Sequence, residues 1–188
     1  MRLIHAIHAP TMPWKNGGGS TTELACWPPG AGLTKFDWRI SIARIEADGP
    51  FSAFDGIDRV LMLLDGPGMT LRWPDRTVTV DATRPRIDFA GSPAPDCQLL
   101  DGPTRDFNLM WRASLGSAEL RNQTLAGDWQ AQAPAGCQLA AYLRDGWAQN
   151  PAGPLQAGDL VVGSTLSLRG EGTLWVMSLP QRRESSSQ

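Results

Sequence analysis

The chain has 188 residues, and its 17 Lys and Arg against 19 Asp and Glu leave a net charge of −2. This balance excludes a dedicated nucleic-acid-binding protein, which would carry a basic stripe. Hydrophobic residues make up 41% of the chain, enough for a core, and the 20 glycines and 15 prolines indicate many turns between short strands.

The N-terminus and the cysteines indicate the compartment. Residues Met1–His8 hold two histidines where a signal peptide needs an apolar stretch, and no apolar run approaches the roughly 18 residues that span a bilayer. Cys26, Cys97 and Cys137 are far apart and form no paired motif, as expected for reduced thiols. We therefore expect a protein of the bacterial cytoplasm, with neither membrane nor nucleic acid as a partner.

The next feature in chain order is a glycine-rich segment. Lys15 and Asn16 precede three glycines, Gly17–Gly19, which let the backbone approach a ligand or another strand closely. A phosphate-binding P-loop has its lysine after the glycines, with a helix beyond, so nucleotide binding is not predicted. Two interpretations remain open. Asn16 and Gly17 make a tight turn, or Lys15 and Asn16 are held at the mouth of a pocket.

Alternation of apolar and polar residues predicts a strand over Phe36–Ile42. Its even-numbered residues are apolar, while Asp37, Arg39 and Ser41 fall on the other face. The phase changes at Ile45, which is apolar at an odd position, and this predicts a bulge just before it.

Further short strands follow, each bounded by Gly, Pro or Asp, at 59–64, 69–73, 77–80, 87–89, 107–115, 139–143, 160–162, 165–168 and 173–179. Residues 117–124 are the one segment assigned a helical turn, and the polar tail 181–188 is expected to be disordered. Asp65–Gly66 and Asp145–Gly146 each end a predicted strand, eighty positions apart. This weak two-fold repeat favours an all-β chain of two small barrels or sandwiches.

Metal and nucleophile chemistry find little support in the sequence. The two histidines, His5 and His8, lie three apart on what is predicted as the first strand, so they would point to opposite faces. A metal site built from histidines is therefore not expected, and no cofactor is predicted. No G-x-S-x-G motif occurs either, so catalysis would depend on carboxylates.

The polar strand faces hold the stronger binding candidates. Arg39 shares a face with Ser41, Asp106 shares one with Asn108 and Arg112, and Arg59 opens an apolar strand. If these faces line a barrel interior, they form a cationic pocket for a small organic acid, because a guanidinium binds a carboxylate through two hydrogen bonds. Otherwise they are exterior residues in weak surface ion pairs.

Several segments in series resemble the HutD/Ves family. They are Trp14–Glu23, Phe36–Ser41, Asp48–Ser52, Gly56–Arg59 and Leu100–Met110. The resemblance implies a metal-free double cupin, which is two tandem RmlC-like jelly-roll barrels in one compact chain. We expect a first half over 1–112, which carries the motifs, and a second half over 113–180, with strands exchanged between them.

The resemblance also implies a function. HutD proteins are associated with histidine utilisation and are thought to regulate rather than catalyse, by binding an acid such as N-formyl-glutamate. The residues predicted to bind such a ligand are Lys15, Arg39 and Arg59 for the carboxylates, Asn16, Ser41 and Asn108 for formyl and amide groups, and Glu23.

Two alternatives stay open beside this non-enzymatic role. One is a metal-independent cupin enzyme that acts on a sugar or an acyl amino acid, with Glu23 or Asp106 as the base. The other is a module that binds a protein partner through an exposed apolar barrel face. Open barrel edges would also allow a homodimer.

Overall fold

The computed structural model describes residues 1–182, and residues 183–188 of the predicted tail lie outside them. The described chain is almost entirely β, which confirms the predicted class. Its strands are β1 (Arg2–Ile4), β2 (Thr11–Pro13), β3 (Gly19–Trp27), β4 (Trp38–Ile45), β5 (Gly49–Pro50), β6 (Ile57–Asp65), β7 (Met69–Arg72), β8 (Thr77–Val80), β9 (Arg86–Ala90), β10 (Asp96–Leu99), β11 (Thr104–Arg112), β12 (Glu119–Gln132), β13 (Cys137–Asn150), β14 (Gly153–Gln156), β15 (Leu160–Gly163) and β16 (Thr165–Pro180). The helical segments are α1 (Gly32–Lys35) and two 3-10 turns, Ala6–His8 and Ala113–Leu115.

The chain divides into two compact units. The N-terminal unit is Pro10–Ser114, and the C-terminal unit is Met1–Ala9 together with the chain from Leu115 onward. The predicted halves met near residue 112 and placed the first residues in the first half. The structure differs there because β1 pairs with β15, which brings the first nine residues into the C-terminal unit.

The N-terminal unit is a sandwich of two antiparallel sheets. The larger sheet has the order β2-β3-β4-β11-β6-β9, and the smaller has the order β5-β10-β7-β8. Buried side chains from both sheets form one core, with Leu61 and Ile87 from the larger and Leu71 and Val80 from the smaller. Within residues 1–182 each sheet has an open strand order, so the closed barrels that were predicted do not form.

Strand β4 carries polar side chains on a buried face. Arg39 and Ser41 share this face with Ile45, which joins the core at the far end of the strand. Pairing of β4 with β11 is continuous, so the bulge predicted before Ile45 is wrong. The irregularity lies in β3 instead, between Glu23 and Ala25. Ile45, the apolar residue at an odd position, thus lies where the polar face of β4 meets the core.

The C-terminal unit is built on one sheet of the order β1-β15-β13-β16-β12, with β14 added beside β13. Leu139 and Leu143 near the start of β13 and Ala148 near its end belong to the same core. The long strands therefore curve around a core of their own side chains. The helical turn predicted over 117–124 is wrong, because β12 already begins at Glu119.

The two histidines lie outside the first strand, so their predicted placement on it is wrong. Strand β1 ends at Ile4, and the ring centroids of His5 and His8 are 6.2 Å apart across the 3-10 turn. His5 Nδ1 lies 2.9 Å from a carboxylate oxygen of buried Asp159, whose other oxygen accepts the backbone N–H of Ala6. None of the helices in residues 1–182 has the length and hydrophobicity that crossing a membrane requires.

Candidate functional site

A cavity of about 540 Å³ opens in the N-terminal unit. Its polar wall comes from β4, β6 and β11 of the larger sheet. The turn before β3 and the loop after β5 line it as well, with single residues or pairs from β2, β3, α1 and β5. The size suits a small-molecule ligand. The residues that matter for its chemistry are Trp14, Lys15, Asn16, Arg39, Ser41, Phe51, Phe54, Arg59, Asp106, Asn108 and Met110.

Sheet register brings two arginines into this cavity. Arg39 of β4 and Arg59 of β6 lie directly opposite Met110 of the strand between them, β11. Since neighbouring strands are about 4.8 Å apart, the two Cα atoms are separated by roughly 10 Å. Directly opposed residues point to the same face of a sheet, so both guanidinium groups enter one cavity.

Arg39 is held in place by one residue of the neighbouring strand β3 and one residue of its own strand β4. The side chain is buried, its Nε donates to Glu23 Oε2 over 2.7 Å, and its Nη1 donates to Ser41 Oγ over 3.3 Å. Glu23 does not line the cavity and reaches it only through Arg39. The described chain supplies no acceptor for Nη2 of Arg39, which leaves a donor for a ligand.

Arg59 is buried against aromatic rings rather than against a carboxylate. Its guanidinium carbon lies 5.4, 5.9 and 5.0 Å from the ring centroids of Phe51, Phe54 and Phe89. Its Nη2 donates to Asn108 Oδ1 over 2.6 Å, while its buried Nε has no partner in residues 1–182. Burial lowers the pKa of Arg59 to about 10, so it remains a cation at neutral pH. The cavity thus holds a cation with few hydrogen bonds.

Asp106 is joined to Arg59 by an intervening amide. Asn108 Nδ2 donates to Asp106 Oδ1, and Asp106 Oδ2 is buried without a hydrogen-bond partner among the described residues. Burial raises the pKa of Asp106 to about 7, against the opposite effect of Arg59. A carboxyl group of this kind in a cavity is a candidate for binding or proton transfer.

The glycine-rich turn satisfies both interpretations of its sequence. Gly17 has a φ of +72° and donates its N–H to Trp14 O, while Asn16 Oδ1 accepts the N–H of Gly18 over 3.1 Å. Asn16 therefore shapes the turn, yet it and Lys15 also lie at the edge of the cavity, both exposed. The amide nitrogen of Asn16 takes no part in the turn and is available to a ligand.

The structure brings six of the seven predicted ligand-binding residues to one cavity, and they are Lys15, Asn16, Arg39, Ser41, Arg59 and Asn108. The seventh, Glu23, is not among the residues that line the cavity and accepts a hydrogen bond from Arg39. That these residues bind a ligand stays a prediction. Asp106, which the sequence places on the same strand face as Asn108 and offers as a candidate base, also lines this cavity.

Sequence reasoning missed the aromatic wall of the cavity. Phe51 and Phe54 lie in the irregular loop after β5, where no periodicity indicates which way a side chain points. Trp14 lies in the turn before β3 and donates its Nε1–H to Thr21 Oγ1 over 2.8 Å. Only the packing of the loop after β5 against the sheet puts the rings of Phe51 and Phe54 beside Arg59.

The donor set does not fit a divalent metal ion. Among residues 1–182 no group of three or more His, Cys, Asp or Glu side chains comes together. The cavity offers one lining carboxylate, Asp106, beside two arginines that would repel a cation. Its charge suits an anion instead.

The fold and the site define a cupin-like β-protein with a cation-lined cavity. The fold is similar to that of the bacterial pirin YhhW from Escherichia coli, with a TM-score of 0.71 over 96% of this chain and 99% of that one. Sequence identity is 12%, so this likeness concerns the fold alone.

Within that class the chain belongs to the HutD family, whose model matches residues 6–177. This confirms the resemblance of the motifs. The structure is similar to that of HutD from Pseudomonas fluorescens SBW25, with a TM-score of 0.78 and 30% identity over 97% of this chain and 99% of that one.

Two curated relatives are similar to this chain in sequence. An uncharacterized 21.2 kDa protein in the hutC 3′ region of Pseudomonas putida is 40% identical over 126 residues, which cover 64% of this chain and 63% of that protein. Protein Ves of Citrobacter koseri is 37% identical over 114 residues, which cover 60% and 58% of the two chains. The match therefore spans less than two thirds of the length of these relatives. Family membership links the chain to the context of histidine utilisation.

Proposed function

We propose that the chain binds a small organic acid of histidine catabolism, such as N-formyl-glutamate, and serves as an accessory or regulatory protein rather than as an enzyme. The observation that carries this proposal is the pair of buried arginines, Arg39 and Arg59, in one cavity. The family's link to histidine utilisation favours an acid of that pathway.

The charge balance of the cavity favours an anion. Arg39 has a carboxylate partner in Glu23, whereas Arg59 contacts only uncharged groups among the described residues, namely the amide of Asn108 and three phenylalanine rings. A buried cation with little compensation is costly unless a counter-charge arrives. A ligand carboxylate can supply that charge and accept hydrogen bonds from Nε of Arg59 and Nη2 of Arg39.

The remaining lining groups suit an acyl amino acid. Ser41 and Asn108 offer hydrogen-bonding groups for a formyl or amide function on the same wall as the arginines. Phe51 and Trp14 offer apolar surface for methylene groups. Such a mixture of a few polar groups and apolar surface is typical of small-molecule sites.

The test is a thermal-shift and calorimetric screen of histidine, urocanate, formiminoglutamate, N-formyl-glutamate and glutamate. Binding to the folded state raises the melting temperature by mass action. We expect a shift with at least one pathway acid, and a loss of affinity of about tenfold or more in Arg39→Ala, which removes a charged donor.

Arg44→Ala is the matched control, because Arg44 lies on the same strand but is exposed and pairs with Glu46. It should bind like the wild type. Unchanged affinity in a folded Arg39→Ala variant would contradict the proposal. No shift with any acid would favour the module that binds a protein partner.

A second candidate, a metal-independent enzyme, is favoured by one observation. Asp106 combines an unpartnered oxygen with a pKa near neutrality in the cavity, whereas Glu23 is occupied by Arg39. Asp106 is therefore the better base of the two. Release of formate from N-formyl-glutamate that is lost in Asp106→Asn would support an enzyme. Binding without turnover would support the accessory role.

We also propose that the two units are the two domains of a bicupin and that the protein works in the bacterial cytoplasm as a homodimer. Two all-β units, one with a core between two sheets and one with a core of its own, support the first point. Sedimentation equilibrium of the purified chain tests the second, since a monomer at micromolar concentration would contradict it.

A further inference from the structure

Asp106 brings a buried carboxyl group to the cavity, and binding of an anion by the arginines alone gives this group no role. We propose that Asp106 takes up a proton when an acid binds beside Arg59, so that the cavity binds a carboxylate and a proton together. This inference rests on the proposed function and deepens it, because it adds Asp106 as a residue that decides which ligands bind and at what pH.

The geometry that carries the inference is a chain of three side chains on one wall of the cavity. Arg59 Nη2 donates to Asn108 Oδ1, and Asn108 Nδ2 donates to Asp106 Oδ1. The amide thereby separates the cation from the carboxyl group, and no direct ion pair forms between Arg59 and Asp106 in residues 1–182. The second oxygen, Oδ2 of Asp106, is left buried without a partner there.

Few charged groups influence whether the carboxyl group of Asp106 is protonated or ionised. Arg59 from β6 is the cation that stabilises its ionised form, and Cys97 from β10 is held as a neutral thiol because burial and the charge of Asp106 raise its pKa to about 12. Arg39 from β4 acts on Arg59 and is itself paired with Glu23. The ionised form of Asp106 therefore depends mainly on one cation.

A ligand carboxylate beside Arg59 removes that support. It competes for the positive charge of Arg59 and places a like charge near Asp106, and both effects raise the pKa of a carboxyl group. Because the pKa of Asp106 is already about 7 without a ligand, the added effect moves the proton within the neutral range. Among the described lining residues there is no histidine or cysteine that could titrate instead.

Protonation also gives Asp106 a role in selection. A protonated Oδ2 can donate a hydrogen bond to an acceptor oxygen of the ligand, whereas an ionised one repels it. The cavity therefore favours an anion that presents a carboxylate or acyl oxygen to both Arg59 and Asp106. A ligand that presents a cationic group at this position, such as an imidazolium, would favour the ionised form and release protons.

The test is isothermal titration calorimetry of the full chain with N-formyl-glutamate, with formate as the minimal carboxylate probe. Repeating the titration in buffers of different ionisation enthalpy counts the protons exchanged. We expect uptake of about half a proton at pH 7, and a Kd about fivefold weaker at pH 8 than at about pH 6.5. Binding without proton uptake would overturn the inference and leave the proposed function intact.

Asp106→Asn replaces the carboxyl group with a neutral group of the same shape and keeps the oxygen that accepts from Asn108. In this variant we expect proton uptake to be lost and the affinity to become independent of pH. Asp88→Asn is the control, since Asp88 is exposed and pairs with Arg86, and it should behave as the wild type. A pH dependence that survives in Asp106→Asn would overturn the inference.

The proton count on the wild type decides the matter even where a variant fails to fold. The two proposals fail in different ways. If none of the acids binds at all, both the proposed function and this inference are overturned. If an acid binds with no exchange of protons, only the role of Asp106 is overturned.

Discussion

Asp106 links the chemistry of the cavity to the stability of the protein. Its carboxyl group is buried beside Asn108 in the cavity wall, and burial raises its pKa from 3.8 to about 7. The folded protein therefore holds this proton more tightly than the unfolded chain does. Ionisation of this carboxyl group therefore lowers the stability of the folded protein, and such a shifted pKa in a cavity is typical of functional residues.

The stability of the wild type should consequently fall as pH rises, relative to Asp106→Asn. Below pH 3.8 the carboxyl group is protonated in both the folded and the unfolded states, and the stabilisation by the neutral form is complete. This stabilisation is lost as pH rises through about 7, and the expected difference is on the order of a few kcal/mol. Urea unfolding of both proteins between pH 5 and about pH 8 measures it. Parallel stability curves for the two proteins would contradict the assignment.

At the scale of the element, an Asp-Gly pair does not always end a strand. Asp145–Gly146 was predicted to close a strand, as Asp65–Gly66 closes β6, yet β13 runs on to Asn150. Gly146 has a φ of +85°, and a Cβ there would lie 2.0 Å from Glu171 O. The close approach lets the strand bend while it stays paired with β16. The similarity of the two Asp-Gly segments is therefore local.

Gly146→Ala tests this bend, with Gly127→Ala as the matched control. Both glycines have positive φ, at +85° and +92°, but no atom lies within 4 Å of a Cβ at Gly127. The control should cost roughly 1–2 kcal/mol of unfolding free energy through φ alone. Gly146→Ala should cost roughly 3 kcal/mol or more, because backbone must also move. Equal losses in chemical denaturation would show that the close approach is unimportant.

At the scale of the whole molecule, chain order and spatial order disagree at the N-terminus. Residues 1–9 precede the N-terminal unit in sequence but pair with β15 in the C-terminal unit. Asp159 stabilises this arrangement by accepting hydrogen bonds from His5 Nδ1 and the N–H of Ala6. All residues that line the cavity lie between Met12 and Met110, in the other unit.

His5→Ala should therefore weaken the C-terminal unit and leave ligand affinity unchanged. Loss of one hydrogen bond to a buried carboxylate is expected to cost about 1 kcal/mol or somewhat more. His8→Ala is the control, since in residues 1–182 His5 and not His8 bonds to Asp159, while the two rings lie together on the same turn. Hydrogen exchange of β15 measures the stability of the C-terminal unit, and calorimetric titration with an acid measures the ligand affinity. A loss of ligand affinity in His5→Ala would contradict this separation of roles.

The amino-acid sequence by itself determined the class of the fold, the family and most of the polar wall of the cavity. Period-two alternation identified β4 and β11, and an apolar run that ends at Asp65–Gly66 identified β6. Alternation also placed Arg39 with Ser41 and Asp106 with Asn108, because successive strand residues must face opposite ways. Motif order along the chain was enough for the family.

Only the tertiary structure decided which faces are inside and which segments come together. Alternation is the same for a buried and an exposed polar face, so burial of Arg39 and Arg59 depended on the second sheet and the loops. The positions of the Phe51 and Phe54 rings depend on how their loop packs against the sheet. The pairing of β1 with β15 joins segments more than 150 residues apart. Such contacts are set by competition among all buried surfaces, which no local pattern encodes.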